Sequence, residues 1–176
     1  MAPTLKPLLS LTAADLMSAT VVTVHEEMSL QGAAHLLAQA HVTGAPVVNH
    51  EGKCVGVLSS TDFVRSVDKN RPATHVEPDR SSFCAVWQIV DPDQLPEEAV
   101  HNFMTRDPVI AAPATSIGAI ARMMIDAHIH RVIVVDHRGR PAGIVSATDL
   151  LAAVARADLE KMIPLEARKP HQTMSC

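Results

Sequence analysis

The feature that most constrains this chain is a duplication. Gly56-Val57-Leu58-Ser59-Ser60-Thr61-Asp62 returns as Gly143-Ile144-Val145-Ser146-Ala147-Thr148-Asp149, an offset of 87 residues. The same offset joins Gly52 to Gly139, His41 to His128, Val22 to Val109 and Met17 to Met104. Roughly fifty residues repeat without a gap, which predicts two supersecondary units whose cores complete each other.

Each unit reads in the same order. Residues 13–17 suggest a helical turn, and the β-branched run 20–25 a strand. Ser29 is an N-cap ahead of Leu30, Ala33, Ala34, Leu36 and Leu37, which recur at helical spacing as far as Ala40. Thr43-Gly44 ends that helix. Residues 45–48 (Ala-Pro-Val-Val) form a buried strand with its proline expected at the beginning. A hairpin turn, Asn49-His50-Glu51-Gly52, leads into a strand over 54–58, and Ser59 opens a helix carrying Phe63, Val64 and Val67.

The second unit predicts a strand over 109–111 and a helix from about Ser116 carrying Ile117, Ile120, Ala121, Met124 and Ile125. A strand over 132–135, a turn at Asp136-His137-Arg138-Gly139, a strand over 142–145 and a helix from Ser146 towards Met162 follow, with Pro164 as the stop. The pattern is β-α-β-β-α twice, an α/β chain of the α+β kind with two helices on one face of each small sheet. The expected divisions are an extension (1–11), a first unit (12–68), an insert (69–99), a second unit (100–158) and a tail (159–176).

Prolines 72, 78, 92 and 96 punctuate the insert, whose apolar run 83–90 is long enough for one strand. Trp87 packs either on its own domain or over an exposed edge or a neighbouring subunit. Leu95-Pro96-Glu97-Glu98 is expected to begin a helix running to Met104, with proline and acids in its first turn.

Hydrophobic residues make up 47% of the chain but aromatics only 2%, so the interior is built from Val, Ile, Leu, Ala and the 8 Met. The 3 cysteines, Cys54, Cys84 and Cys176, lack any pairable spacing and suit a reducing, cytoplasmic setting. Pro3, Pro7 and the want of a long apolar stretch argue against a signal peptide or membrane span. A net charge of −4 gives no footprint for nucleic acid or an acidic membrane surface.

With Gly-h-h-Ser-x-x-Asp (h aliphatic) twice at a strand-to-helix junction, the layout resembles the CBS domain family, named for cystathionine β-synthase. Asp-Leu-Met-Ser (15–18), Asn-Phe-Met-Thr (102–105), Ala-Pro-Val-Val (45–48) and His-Arg-Val-Ile-Val-Val-Asp (130–136) add to the likeness, which covers about residues 12–68 and 100–156. The resemblance implies a pseudo-two-fold pair that binds rather than catalyses. Such pairs hold AMP, ADP, ATP or S-adenosylmethionine in two clefts between repeats and use occupancy to regulate a partner.

Chemistry at those positions fits. A fixed carboxylate at Asp62 or Asp149 can accept both hydroxyls of a ribose, and the helix start beside Ser59 or Ser146 favours a phosphate. The same Ser-x-x-Asp spacing is also close to a capping box, which would satisfy the helix end and do nothing else. His130-Arg131 stands where the first repeat has Thr43-Gly44, and in similar pairs this basic dipeptide faces the ribose carboxylate of the first repeat. The resemblance thus groups Ser59, Thr61, Asp62, His130 and Arg131, with adenine against the strand around Val109, as a site preferring phosphorylated ligands. Ser146, Thr148 and Asp149 with the strand around Val22 form a weaker site without a basic pair. The alternative for His130-Arg131 is a solvated strand end.

His128-x-His130 would place two rings on one face of a strand, but no third ligand lies at supporting spacing. Met17, Met104, Met123 and Met124 read as core filler. No phosphate-cradling glycine loop, nucleophile-base pair or metal box marks an enzyme. The expected protein is a regulatory homodimer acting on an unknown effector, with no required cofactor. The alternative is a ligand-free scaffold in which the helices at 29–40 and 116–127 mediate dimerisation.

Overall fold

The computed structural model describes residues 6–69 and 92–162. The run 83–90, Trp87 and the tail beyond Met162 lie outside the described residues. The elements are α1 (Ala13–Leu16), β1 (Val24–His25), α2 (Leu30–Gln39), β2 (Gly44–Val48), β3 (Cys54–Ser59) and α3 (Ser60–Lys69). After the insert come β4 (Thr105–Arg106), β5 (Ile110–Ala111), α4 (Ile117–Asp126), β6 (Arg131–Val135), β7 (Pro141–Ser146) and α5 (Ala147–Met162).

The helices begin and end as local chemistry dictates. Ser29 Oγ accepts the Gly32 N–H (3.1 Å) and Ser116 Oγ the Ala119 N–H (3.3 Å), so both expected caps form. At the other end His41 and His128 take left-handed φ values of 54° and 53°. Val42 N–H then reaches back to the Leu37 carbonyl (3.1 Å) and Ile129 N–H to that of Met124 (2.9 Å), closing Schellman motifs with histidine where glycine is usual. His128 therefore belongs to a helix end, and the expected strand carrying both His128 and His130 does not exist: β6 starts at Arg131.

The first sheet has the order β1-β2-β3-β4 and the second β5-β6-β7. Outer β1 and β5 run parallel to β2 and β6, which pair antiparallel with β3 and β7. The strand expected over 20–25 is only two residues long, and the repeat shows why. Ile110 pairs with Ile133 in the second sheet, but its counterpart Thr23 would face Pro46, which has no N–H, so the first ladder starts one pair later at Val24–Val47. Pro46 sits in the middle of β2, opposite Val57, rather than at its beginning.

The helix expected from Leu95 to Met104 is replaced by extended chain with a single 3₁₀ turn at Val100–Asn102. Glu98 C=O accepts from Leu30 N–H (2.9 Å), while Val100 and His101 N–H groups donate to Met28 (2.8 Å) and Glu26 (3.0 Å). Those partners satisfy the backbone without a helix, and Pro96 disfavours helical geometry at Leu95.

Each repeat's leading segment packs on the other repeat. β4 pairs with β3, Gly56 opposite Arg106, and Met104 lies over Gly56. Reciprocally, Ser18 exchanges backbone hydrogen bonds with Ile144, and Met17 lies over Gly143. Two cores result: one gathers Val24, Leu37, Val47 and Leu58 with Val100, Phe103 and Met104, the other Ile120, Val132, Val134 and Val145 with Ala13, Leu16 and Met17.

Candidate functional site

Strands β3 and β7 end in the Ser-x-x-Asp turns, with α3 and α5 starting one residue beyond each serine. Asp62 Oδ2 accepts both the Ser59 N–H (2.8 Å) and its hydroxyl (2.7 Å). Asp149 Oδ2 does the same with Ser146, at 2.7 and 2.6 Å. A third copy of the geometry occurs where no cleft was expected: Asp15 Oδ2 accepts the Thr12 N–H and hydroxyl, both at 2.9 Å. Capping alone is thus enough to produce the arrangement. In every case it consumes only Oδ2. Asp149 Oδ1 has no partner among the described residues, and Asp62 Oδ1 has only the Arg65 guanidinium at 3.9 Å.

The two carboxylates differ in exposure. Asp62 is 4% exposed, Asp149 half-buried, and Thr61 and Thr148 both face solvent. Val22 packs beside the first core and Val109 beside the second, each half-buried just ahead of the outer strand.

Among the candidate site residues, Arg131 reaches from one repeat to the other. Its Nη1 donates to Thr43 Oγ1 at 2.9 Å, and the Thr43 carbonyl accepts from Ser60 N–H at 3.0 Å, so the guanidinium adjoins the helix start that carries Asp62. Gly44 lies opposite Ser59 in the β2–β3 ladder, and a Cβ there would come within 2.8 Å of the Leu58 carbonyl, which keeps this floor flat. His130 is exposed, and its carbonyl holds the Ala147 N–H at 2.9 Å. The structure therefore brings Ser59, Asp62 and Arg131 to one place through Thr43, a residue that sequence reasoning used as a helix breaker and as the counterpart of His130, not as a site residue. Its position, 87 residues before His130, was the available signal.

Two α+β repeats with interleaved leading segments define a tandem-repeat module. The CBS domain family model matches residues 13–69 and 89–156, and the chain belongs to that family. An uncharacterized protein of Methanocaldococcus jannaschii is 30% identical over 150 residues, covering 80% of this chain and 89% of its own. A homoserine O-acetyltransferase of Methanohalophilus mahii is 28% identical over 83% of this chain, which spans only 25% of that enzyme. Among solved structures, the CBS domain pair of protein MJ0100 in complex with 5-methylthioadenosine and S-adenosylmethionine has a TM-score of 0.62 at 23% identity, covering 82% of this chain and 99% of its own. CBSX2 in complex with AMP gives 0.63 at 22% identity, with coverages of 84% and 98%. No helix among the described residues is long and apolar enough to cross a membrane.

Proposed function

We infer that the protein is a regulatory CBS pair, not an enzyme, that binds an adenosine-containing ligand and transmits occupancy to an effector protein as a homodimer in the cytoplasm. The observation that carries this reading is Arg131, which reaches from the second repeat to the Ser59–Asp62 helix start of the first. A cation beside a helix N-terminus suits a phosphate, and Oδ1 of Asp62 suits the ribose hydroxyls. Ligand entry requires Arg65 to move; at 3.9 Å and 71% side-chain exposure it is weakly held. Val109 would receive the adenine of this site. Asp149, Ser146, Thr148 and Val22 would form the weaker second site, which lacks a cation at Gly44. The complexes of AMP, methylthioadenosine and S-adenosylmethionine seen in like folds support the ligand class.

Melting the protein with AMP, ADP, ATP, NAD and S-adenosylmethionine tests this. A ligand at a hundred times its dissociation constant stabilises by about 2.7 kcal/mol, roughly 5–10 °C at this chain length. Asp62→Asn keeps one oxygen for the cap and removes the free acceptor, so it should abolish the AMP shift, whereas Asp15→Asn should leave it intact. The Thr12–Asp15 turn favours a second reading, a scaffold in which both Ser-x-x-Asp turns are only caps. Absence of any shift at millimolar ligand would select it.

A further inference from the structure

A second cavity lies on the first sheet, at the hairpin end of its strands and away from the end that carries Ser59. It encloses about 430 Å³ and is lined by Glu26, Val55, His101, Met104, Arg106 and Asp107. Three contacts fix this lining. His101 N–H donates to the Glu26 carbonyl (3.0 Å), Met104 lies over Gly56, and Arg106 pairs with Gly56 in the β3–β4 ladder.

The charges around the cavity are held apart. Arg106 Nη2 donates to the His101 carbonyl at 3.5 Å, and among the described residues no group pairs with the carboxylate of Glu26 or of Asp107. The duplication shows that they belong to one repeat alone. At the counterpart positions, 87 residues on or back, Pro113 stands for Glu26, Ala14 for His101, Ala19 for Arg106 and Thr20 for Asp107, while the methionine recurs as Met17.

One cation and two carboxylates restrict what can enter. A phosphate would meet both carboxylates, and no group of three His, Cys, Asp or Glu among the described residues could hold a metal ion. A ligand with one carboxylate and two cationic groups offsets all three charges. Glu26 follows β1 and Asp107 follows β4, the two edges of the sheet, with Val55 of β3 between them. Three strand spacings separate those edges by roughly 14 Å, and long side chains reaching inward from both shorten the gap to one that an extended aliphatic stem can cross over Val55 and Met104.

We propose that this cavity binds a free basic amino acid of the lysine or arginine kind, its α-carboxylate on Arg106, its α-ammonium on Asp107 and its side-chain cation on Glu26. The site is separate from the Ser-x-x-Asp turns and does not rest on the adenosine reading.

Isothermal titration of the full chain with L-lysine and with L-arginine tests it, circular dichroism confirming that each variant folds. At least one of the two should bind saturably at millimolar concentration or below. Norleucine, cadaverine and Nα-acetyllysine lack in turn the side-chain cation, the carboxylate and the α-ammonium, and each should bind at least ~10-fold more weakly than lysine. Glu26→Gln, Arg106→Gln and Asp107→Asn should each cost a similar factor, while Glu27→Gln, outside the cavity, should change the affinity less than about twofold. No saturation with either amino acid overturns the proposal, and so does binding that all three substitutions leave intact, which would put the ligand elsewhere. Cadaverine bound as tightly as lysine would make this a diamine site and overturn the amino-acid assignment.

Discussion

His41 and His128 hold a conformation that costs a residue with a Cβ roughly 1–2 kcal/mol, in the same place in both repeats. Glycine there should stabilise the protein by about 1 kcal/mol per site, readable as a higher Tm for His41→Gly or His128→Gly. A drop in Tm would mean that the imidazoles make contributions which the backbone geometry hides. Asp15 offers a separate test by pH. The Lys6 ammonium at 2.7 Å, then the Thr12 hydrogen bonds, lower its pKa to about 2. Because the folded value lies below the unfolded one, this contact supports the fold above about pH 4, and its contribution is lost as pH falls through 2. NMR titration of the Asp15 carboxyl should give a midpoint near 2, moving upward in Lys6→Ala.

Among elements, the tightest constraint is on β7. A Cβ on Gly143 would stand 2.7 Å from Met17 Cγ and 2.9 Å from its Cβ, too close for a rotamer change to relieve. Gly143→Ala should cost about 1–3 kcal/mol, and combining it with Met17→Ala should cost less than the sum of the two, as denaturant melts of the cycle would report. Sequence reading did well where the cause is local: Ser29 and Ser116 cap, Asn49 and Asp136 shape the hairpin turns, and Gly52 and Gly139 take the positive φ (77°) that such turns need. It failed where the cause lies far along the chain. Nothing near Leu95 announces that residues 98–101 find their hydrogen bonds at Glu26, Met28 and Leu30. Likewise β4 exists because β3, about fifty residues earlier in the chain, leaves an edge open to it. The candidate site was half legible: the two carboxylates stand out by repetition, but that capping occupies only one oxygen of each is a matter of geometry.

For the whole molecule, the reciprocal packing separates units of sequence from units of folding. The first core is complete within residues 22–104, and its fourth strand ends at Arg106. A fragment spanning 19–106 should therefore unfold cooperatively, whereas 1–91, which ends before Val100, Phe103, Met104 and β4, should not, as judged by sigmoidal urea curves. Similar, non-cooperative behaviour of both fragments would mean that the interlock also supplies stability that neither core has alone.

The interlock also fixes an order of events during synthesis. Residues 12–18 leave the ribosome well before residues 141–146, yet β7 is their seat and is among the last described strands to be made. The first sheet likewise waits for Arg106 before its open edge closes. An earlier segment is seated only by a later one, so the nascent chain carries an exposed strand edge and an uncovered Gly56 for the roughly fifty residues between β3 and β4, the interval in which pairing with another chain is the main competitor.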